Sequence, residues 1–226
     1  MDDEARRIAA DRGDALALVP VSRETVDRLD RFVEFLLERN RTTNLIARST
    51  VPHVWTRHVA DSMQLLRLGQ GPVWMDLGSG AGFPGLVLAC ALAEREDQVV
   101  HLVESRDRKA AFLRDAAQLL GVPAIVHRDR IENVVRHLPR VDVVTARALA
   151  PLPKLLGYIE QLVAKGAKAL LMKGQDIETE LTLAAKYWKI GAEIVPSKTD
   201  PSGRILIVSK LARSGTKKAQ RFRDVR

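Results

Sequence analysis

The stretch Asp76-Leu77-Gly78-Ser79-Gly80-Ala81-Gly82-Phe83-Pro84-Gly85 decides the fold of this 226-residue chain. It begins within the mostly apolar run 73–77, which predicts a buried strand, and it opens an apolar stretch that predicts a helix. Three alternating glycines let a backbone turn tightly and approach a ligand closely, and Pro84 suits the first turn of a helix. A strand, a glycine-rich turn and a helix in this order predict a ligand crevice at the carboxyl end of a parallel sheet.

The sequence after this loop alternates apolar runs with helical stretches. We predict strands at 73–77, 99–103, 124–127, 141–145 and 167–172, with helices at 84–94, 108–120, 131–137 and 152–165. Strands that are apolar throughout and are joined by helices predict a parallel sheet covered on both faces. A helix at 177–187 follows, and the turn at 200–203 joins strands at 192–196 and 205–210 as an antiparallel hairpin. The predicted fold class is therefore α/β.

Two helices are predicted before the sheet. Residues 1–20 are mixed in charge and are expected to be frayed as far as Pro20. Helical spacing predicts one helix from its N-cap Ser22 to about Arg41, and a second from about 51 or 52 to Leu68. The predicted organisation is an N-terminal helical extension at 1–70, a main domain at 71–211 and a disordered basic tail at 212–226.

The composition narrows the class of protein. Hydrophobic residues make up 46% and charged residues 28% of the chain, which is typical of a folded globular protein. The longest apolar run, at 85–93, is far shorter than the ~20 residues of a membrane-spanning helix, and the N-terminus lacks the apolar core of a signal peptide. The one cysteine, Cys90, can form neither an internal disulfide nor a zinc site. We therefore predict a cytoplasmic protein, a monomer with no metal site.

The net charge of +8 is concentrated at the C-terminal end. Residues 204–226 hold eight Lys or Arg and one acid, Asp224, so that the other 203 residues contribute only +1. Most of the excess lies in a tail that contains Lys217, Lys218, Arg221, Arg223 and Arg226. Such a tail can hold phosphate groups, or it can be a solvated end without a ligand. The sequence leaves both alternatives open.

Two acidic residues favour a particular cofactor. A dinucleotide site has the spacing Gly-x-Gly-x-x-Gly, whereas Gly82 comes one residue early here and Asp76 precedes the loop. An acid beside the loop disfavours a pyrophosphate and suits the cationic sulfonium and amino groups of S-adenosylmethionine. Glu104 ends the second predicted strand, where an acid can accept both ribose hydroxyls. NAD sites place an acid there too, so that Glu104 alone indicates an adenosine cofactor, and only together with Asp76 does it favour S-adenosylmethionine. Its alternative role is a charge at the N-terminus of the next helix.

Two further segments lie at strand ends. In Arg130-Ile131-Glu132 an apolar side chain would flank an adenine, although Asp129 and Glu132 also suit an ordinary helix start. Thr145-Ala146-Arg147 ends the fourth strand, at the edge that would face the transferred methyl group. Methyltransferases of exocyclic amines typically carry Asn or Asp, two prolines and an aromatic residue there. The sequence Ala146-Arg147-Ala148-Leu149 therefore argues against an adenine or cytosine amino group as the acceptor.

Along nearly its whole length the chain resembles the bacterial 16S rRNA guanine-N7 methyltransferases, the glucose-inhibited division protein B family. Six ordered segments carry the resemblance: Asn44-Leu45, Arg57-His58-Val59-Ala60-Asp61-Ser62, the loop at 76–85, Arg130-Ile131-Glu132, Arg147-Ala148 and Met172-Lys173-Gly174. The chain departs from the family at Ile46, where threonine is common, and in the basic tail from Gly215. The resemblance implies a class I, Rossmann-like S-adenosylmethionine methyltransferase with a seven-stranded, mostly parallel sheet and an N-terminal helical extension.

The resemblance also implies functional residues. It places S-adenosylmethionine contacts at Gly78, Phe83, Ile131, Glu132 and Arg147, beside the Asp76, Gly80, Gly82 and Glu104 contacts favoured above. The implied partner is 16S ribosomal RNA or the small ribosomal subunit, with Asn44, Arg57, His58 and Lys173 as candidate RNA contacts. Guanine N7 has a lone pair and no proton, so that direct in-line transfer needs no general base. We expect Arg147 to hold the guanine or a neighbouring phosphate.

Several alternatives remain at this point. His58 and Asp61 lie one helical turn apart and either border the RNA-facing rim or form a packing pair in which Asp61 orients His58. The chain could instead be an NAD-dependent Rossmann oxidoreductase, an RNA-binding or ribosome-assembly module without turnover, or a methyltransferase of another acceptor.

Overall fold

Seven strands form one mixed sheet in a computed structural model that describes residues 3–138 and 140–215. The strands are β1 (Val73–Leu77), β2 (Val99–Val103), β3 (Ala124–His127), β4 (Val143–Arg147), β5 (Lys168–Lys173), β6 (Trp188–Pro196) and β7 (Arg204–Arg213). Their order in the sheet is β3-β2-β1-β4-β5-β7-β6. Strands β1 to β5 pair in parallel, and β7 pairs antiparallel with both β5 and β6. The predicted α/β fold with a C-terminal antiparallel hairpin is confirmed.

Helices cover both faces of the sheet. They are α1 (Asp3–Leu18), α2 (Arg23–Thr43), α3 (Asp61–Met63), α4 (Gly85–Leu92), α5 (Asp107–Leu120), α6 (Ile131–His137), α7 (Leu152–Ala164) and α8 (Ile177–Ala184). Side chains of adjacent strand residues point to opposite faces. Trp74 and Leu102 accordingly belong to the core under α1, α2, α4 and α5, whereas Met75 and Val103 belong to the core under α6, α7 and α8.

The sheet has a switch point between β1 and β4. Strands β2 and β3 lie on one side of β1, and β4 and β5 lie on the other. Leu77 is in register with Val103 on β2 and with Ala146 on β4, so that the loops after these three strands leave the sheet at one edge. Ligands of open parallel sheets bind at this kind of edge.

The prediction that residues 1–20 are frayed is wrong, because α1 spans Asp3–Leu18. The Asp11 carboxylate, which is 6% exposed, accepts hydrogen bonds from the backbone N–H groups of Trp55 at 2.8 Å and Thr56 at 3.2 Å. Arg12 forms two hydrogen bonds of 2.6 Å with Asp30 on α2. Contacts with distant segments stabilise this helix, and a mixed-charge local pattern does not reveal them.

The first of the two predicted helices is confirmed as α2, whose N-cap Ser22 accepts a hydrogen bond from Thr25 N–H. The second is not one regular α-helix. Residues 48–67 consist of a 3₁₀ turn at Arg48–His53, a π-helical turn at Trp55–Ala60, the single turn α3 and a 3₁₀ turn at Gln64–Arg67. Pro52 supplies no N–H to a helical ladder, and Asp11 takes the N–H groups of the next turn. We call residues 48–67 the irregular helical segment.

Several predicted boundaries shift. Strand β4 begins two residues later than expected, because its pairing with β1 starts at Val143 opposite Trp74. Strand β6 begins at Trp188 rather than 192, and β7 continues to Arg213, two residues into the region predicted as tail. Residues 216–226, which hold the five basic residues of the predicted tail, lie outside the described residues. In the described part of the chain, each helix is too short or too polar to span a membrane.

Candidate active site

The glycine loop after β1 folds back onto the end of β2. The N–H groups of Gly78 and Ser79 both donate to the Val103 carbonyl, at 2.9 and 3.0 Å. Gly78, Gly80 and Gly82 all have positive φ, at 71°, 55° and 93°. At Gly78 a Cβ would also lie 2.6 Å from Leu149 Cδ1 in the loop after β4. Glycine therefore allows both the turn and the close approach of the β4 loop.

Asp76 lies beneath this loop and not on its rim. It is 1% exposed, and its carboxylate accepts hydrogen bonds from Thr145 Oγ1 at 2.9 Å and from Gly85 N–H at 3.1 Å. Burial raises the pKa of Asp76 to about 6, although the hydrogen bonds from Thr145 and Gly85 oppose that shift. The expectation that Asp76, as an acid beside the loop, faces a cationic ligand is therefore wrong. Its carboxylate instead joins β1, β4 and the first turn of α4.

Glu104 holds the loop from the side of β2. Its Oε2 accepts a hydrogen bond from Gly80 N–H at 3.1 Å, and its Oε1 accepts one from Arg106 N–H at 2.8 Å. The contact with Arg106, the residue before α5, corresponds to the helix-start role that the sequence left open. Glu104 nevertheless also lines a cavity, so that one carboxylate fixes the loop and faces a ligand space.

A cavity of about 340 Å³ opens over the carboxyl ends of β1 and β2. Of the predicted cofactor contacts it brings together Gly78, Gly80, Glu104, Ile131 and Glu132. The other predicted contacts, Asp76, Gly82, Phe83 and Arg147, are absent from its lining. Its charged lining comprises the acids Glu104, Asp129 and Glu132 and the bases Arg106, Lys109, Arg130 and Lys154. The cavity, which we call the cofactor cavity, is therefore not predominantly acidic.

A second cavity of about 430 Å³ lies on the other side of the β4 loop. It is lined by the irregular helical segment, the ends of β4 and β5 and the β6–β7 connection. Ala148 lines both cavities and has a left-handed φ of 50°, a conformation that costs a residue with a Cβ about 1 kcal/mol or more. We call this second space the acceptor cavity. The residue after Arg147 is thus common to the linings of both spaces.

Arg147 extends from the end of β4 into the wall of the acceptor cavity. Its Nη1 donates to the Arg57 carbonyl at 3.1 Å and lies 3.5 Å from Asp61 Oδ2. Its guanidinium carbon is 5.2 Å from the centre of the Phe83 ring, a cation–π distance. Burial lowers the pKa of Arg147, and the charge of Asp61 opposes that shift. The guanidinium is held by two segments that are distant from it in sequence, the irregular helical segment and the glycine loop.

His58 is a neutral residue of this wall. Thr50 Oγ1 donates its hydrogen to the Ala47 carbonyl at 2.8 Å, so that it accepts from His58 Nε2 at 3.1 Å. Nδ1 is then a buried acceptor that has no partner among the described residues. Burial, followed by the charges of Arg147 and Arg57, lowers the pKa of His58 to about 3. A cationic contact with an RNA phosphate is therefore not available to His58 near neutral pH.

Phe83 and Asp61 occupy places that the sequence did not specify. The Phe83 ring stacks on His58 with ring centres 4.8 Å apart and is 4% exposed. Phe83 therefore packs against a residue that lines the acceptor cavity and does not line the cavity itself. Asp61 does not orient His58, contrary to one of the two alternatives. Its Oδ1 accepts hydrogen bonds from Thr199 Oγ1 and Gln64 Nε2, both at 2.8 Å.

The other candidate RNA contacts are spread out. Arg57 is exposed and lies 3.5 Å from Asp200 at the rim of the acceptor cavity. The Lys173 side chain is only 11% exposed, and its Nζ lies 2.7 Å from Glu180. Asn44 is exposed and ends α2 in a left-handed conformation, with φ of 40°. Arg57 and Lys173 line the acceptor cavity, whereas Asn44 does not.

Sequence reasoning missed three participants. Thr145 was noted only as part of a strand end, although it donates to Asp76. Ser197 and Thr199 reach Asp61 from the β6–β7 connection, more than 130 residues away along the chain. Only the turn at 200–203 indicated a loop there, and no local pattern gave its partner.

Comparison with known proteins points to one family. Residues 25–202 match the family model described as rRNA small subunit methyltransferase G. A protein named Ribosomal RNA small subunit methyltransferase G from Bradyrhizobium sp. (strain BTAi1 / ATCC BAA-1182) is 56% identical over 208 residues, which cover 91% of this chain and 94% of that protein. A protein of the same name from Rhodopseudomonas palustris (strain BisB18) is 51% identical over 201 residues, which cover 88% and 86%.

Solved structures show the same fold at low sequence identity. The O-methyltransferase TomG from Streptomyces achromogenes, solved with SAM, has a TM-score of 0.58 and 14% identity, with 92% of this chain and 99% of that chain covered. A putative O-methyltransferase from Klebsiella pneumoniae has a TM-score of 0.57 and 16% identity, with the same coverage. These two structures share the architecture of the sheet and its helices with this chain.

Proposed function

The chain belongs to the rRNA small subunit methyltransferase G family, and from that membership we propose that it methylates N7 of a guanine in 16S ribosomal RNA. The methyl donor is S-adenosylmethionine. One observation carries the proposal beyond the family: Ala148 lines two cavities, one of which is also lined by the preceding residue, Arg147. A donor in one cavity and an acceptor in the other would face each other across Ala148.

The cofactor cavity provides groups that suit S-adenosylmethionine. Glu104 would accept hydrogen bonds from the ribose hydroxyls, and Ile131 and Glu132 would flank the adenine. Gly78 and Gly80 have no Cβ, so that the ligand could approach the backbone of the loop closely there. Gly82, Phe83 and Asp76 would act from outside the cavity by fixing the loop. Bound S-adenosylmethionine would supply the electrophilic methyl group, which the chain itself does not contain.

The acceptor cavity supports transfer without a general base. The His58 ring is neutral, and its one free nitrogen is buried. The carboxylates of the cavity are all engaged: Asp61 with Thr199 and Arg147, Glu180 with Lys173, and Asp200 with Arg57. An in-line attack by guanine N7 requires no proton removal. Positioning then supplies most of the rate enhancement, worth up to ~7–11 kcal/mol in well-oriented systems.

Arg147 would hold the acceptor in this scheme. Its guanidinium can bind guanine O6 or an adjacent phosphate oxygen, both of which are hydrogen-bond acceptors. Arg57 and Lys173 would contact the RNA backbone only by changing partners, from Asp200 and Glu180 respectively. Ala146 to Leu149 include none of the residues that methyltransferases of exocyclic amines typically carry there (Asn or Asp, two prolines and an aromatic residue), which also favours a ring nitrogen.

Nucleoside mapping in cells tests the proposal. We expect 16S rRNA from cells that lack the gene to lose one 7-methylguanosine, and a plasmid copy of the gene to restore it. Arg147→Met is expected not to restore it. Unchanged 7-methylguanosine, or loss of a different methylated nucleoside, would rule out the proposed acceptor.

A further inference from the structure

We propose that Asp61 is a positioning residue for methyl transfer, which fixes the Arg147 guanidinium at the wall of the acceptor cavity and joins it to the β6–β7 connection. The inference rests on the proposed function, since it assigns Asp61 a part in the same transfer. Asp61 itself is not expected to touch the reacting atoms.

The two carboxylate oxygens of Asp61 serve different segments. Oδ1 accepts hydrogen bonds from Gln64 Nε2 and Thr199 Oγ1, each at 2.8 Å, and lies 3.5 Å from Ser197 Oγ. Oδ2 lies 3.5 Å from Arg147 Nη1. One carboxylate therefore connects the irregular helical segment, the end of β4 and the β6–β7 connection, which together form three sides of the acceptor cavity.

The contacts of Arg147 leave two of its nitrogens for a ligand. The hydrogen bonds to the Arg57 carbonyl and to Asp61 both use Nη1. Within the described part of the chain, Nε and Nη2 have no hydrogen-bond partner, and neither of them is a buried polar atom that lacks one. Since the guanidinium carbon also lies over the Phe83 ring at a cation–π distance, the guanidinium is held by one nitrogen and by this ring. The N–H groups of Nε and Nη2 are therefore available to donate hydrogen bonds to an acceptor oxygen.

Burial makes the charge of Asp61 matter. The side chains of Asp61 and Arg147 are 18% and 20% exposed, so that water screens their attraction only in part. Burial raises the pKa of Asp61, and the hydrogen bond from Thr199 and the charge of Arg147 oppose that rise. Loss of the negative charge would leave Arg147 half-buried without its counterion, and the guanidinium would turn toward water.

The β6–β7 connection is held by the same cluster. Gln64, which is 4% exposed, accepts from Lys198 N–H at 2.9 Å through Oε1 and donates to Asp61 and Ser197 through Nε2. A change at Asp61 would therefore move two walls of the acceptor cavity together. The cofactor cavity contains none of these residues, so its affinity for ligand should not change.

The test compares Asp61→Asn with a matched control, Asp115→Asn. Asp115 on α5 pairs with Arg39 on α2 at 3.0 Å, also between the N-terminal extension and the sheet domain, but with both side chains about half exposed. Each variant removes one negative charge and one ion pair. For both we would measure the dissociation constant of S-adenosylhomocysteine, and kcat and KM for transfer to small-subunit RNA. The same measurements on Arg147→Met and on the double variant complete a cycle.

We expect Asp61→Asn to lower kcat/KM for RNA by about 10- to 100-fold, the loss that misplacement of about 1 Å can cause. Its affinity for S-adenosylhomocysteine should stay within about two-fold of the wild type, and Asp115→Asn should match the wild type in both respects, as an exposed ion pair contributes little. In the Arg147→Met background, Asp61→Asn should cause no further loss of transfer, because a residue that acts through Arg147 has nothing left to position.

Other results would overturn the inference. Wild-type transfer by Asp61→Asn, or losses that multiply in the double variant, would show that Asp61 does not act through Arg147. If Asp61→Asn does not fold, Thr199→Val replaces it: this variant keeps the charge, removes one hydrogen bond to Oδ1 and should show a smaller loss with unchanged cofactor affinity. Unchanged transfer in Thr199→Val would equally count against the inference. A wild-type protein that binds S-adenosylhomocysteine but does not methylate RNA would refute the proposed function itself.

Discussion

Replacement of Glu104 by glutamine should weaken cofactor binding more than an isosteric change suggests. Both carboxylate oxygens already accept backbone N–H groups, from Gly80 at 3.1 Å and from Arg106 at 2.8 Å. A glutamine amide has only one acceptor oxygen, so that in either orientation its NH₂ group faces one of these N–H groups. The variant therefore loses a charge-assisted hydrogen bond within the loop and also loses the proposed acceptor of the ribose hydroxyls.

A hydrogen bond to a charged group contributes about 1.5–3 kcal/mol, which corresponds to about a 10- to 150-fold weaker affinity. Isothermal titration with S-adenosylhomocysteine measures this directly. The control is Glu178→Gln, an exposed residue of α8 outside both cavities. If Glu104→Gln binds within two-fold of the wild type while Glu178→Gln does the same, Glu104 does not hold the ribose, and the assignment of the cofactor cavity is refuted.

Three further outcomes are expected. Gly85→Ala should lower the free energy of unfolding, measured in urea, by about 1–3 kcal/mol. The added Cβ would lie 2.7 Å from Asp76 Oδ2 and would also contact Leu102. An unchanged free energy of unfolding would contradict this. His58→Phe should make the thermal midpoint less sensitive to acid. The pKa of His58 in the folded protein is lowered to about 3, so the contribution of neutral His58 to the free energy of unfolding is complete above pH 6.5 and falls by about 2 kcal/mol at pH 5. Equal declines of the midpoint in both proteins between pH 7 and pH 5 would count against this. Finally, kcat for methyl transfer should show no bell-shaped pH profile, and two pKa values assignable to a protein acid and base would disprove transfer without a general base.

The sheet was predictable because its strands carry their own pattern. Runs such as Val99–Val103 are apolar except for His101, and the glycine loop after β1 fixes where the crevice opens. The helix α1 was missed because its stability depends on Asp11 and Arg12, whose partners lie in the irregular helical segment and in α2. Local periodicity contains no information about such partners.

The candidate site was predicted unevenly for the same reason. Glu104 and Arg147 follow from strand ends, and the structure places each at a cavity wall. The burial of Asp76 was not predicted, because its partner Thr145 on β4 lies 69 positions away along the chain. The role of Asp61 was not predicted either, since its partners Thr199 and Arg147 lie 138 and 86 positions away along the chain.

The central claim is that S-adenosylmethionine and a guanine of small-subunit RNA meet across Ala148. Its most direct test incubates the purified protein with S-adenosylmethionine that carries a trideuterated methyl group and with 16S rRNA or small subunits from cells that lack the gene. Digestion and tandem mass spectrometry then locate the label. We predict trideuteromethyl at N7 of one guanine, and none with Arg147→Met. Label on another atom or another nucleoside, or no label from a protein that binds the cofactor, would contradict the account.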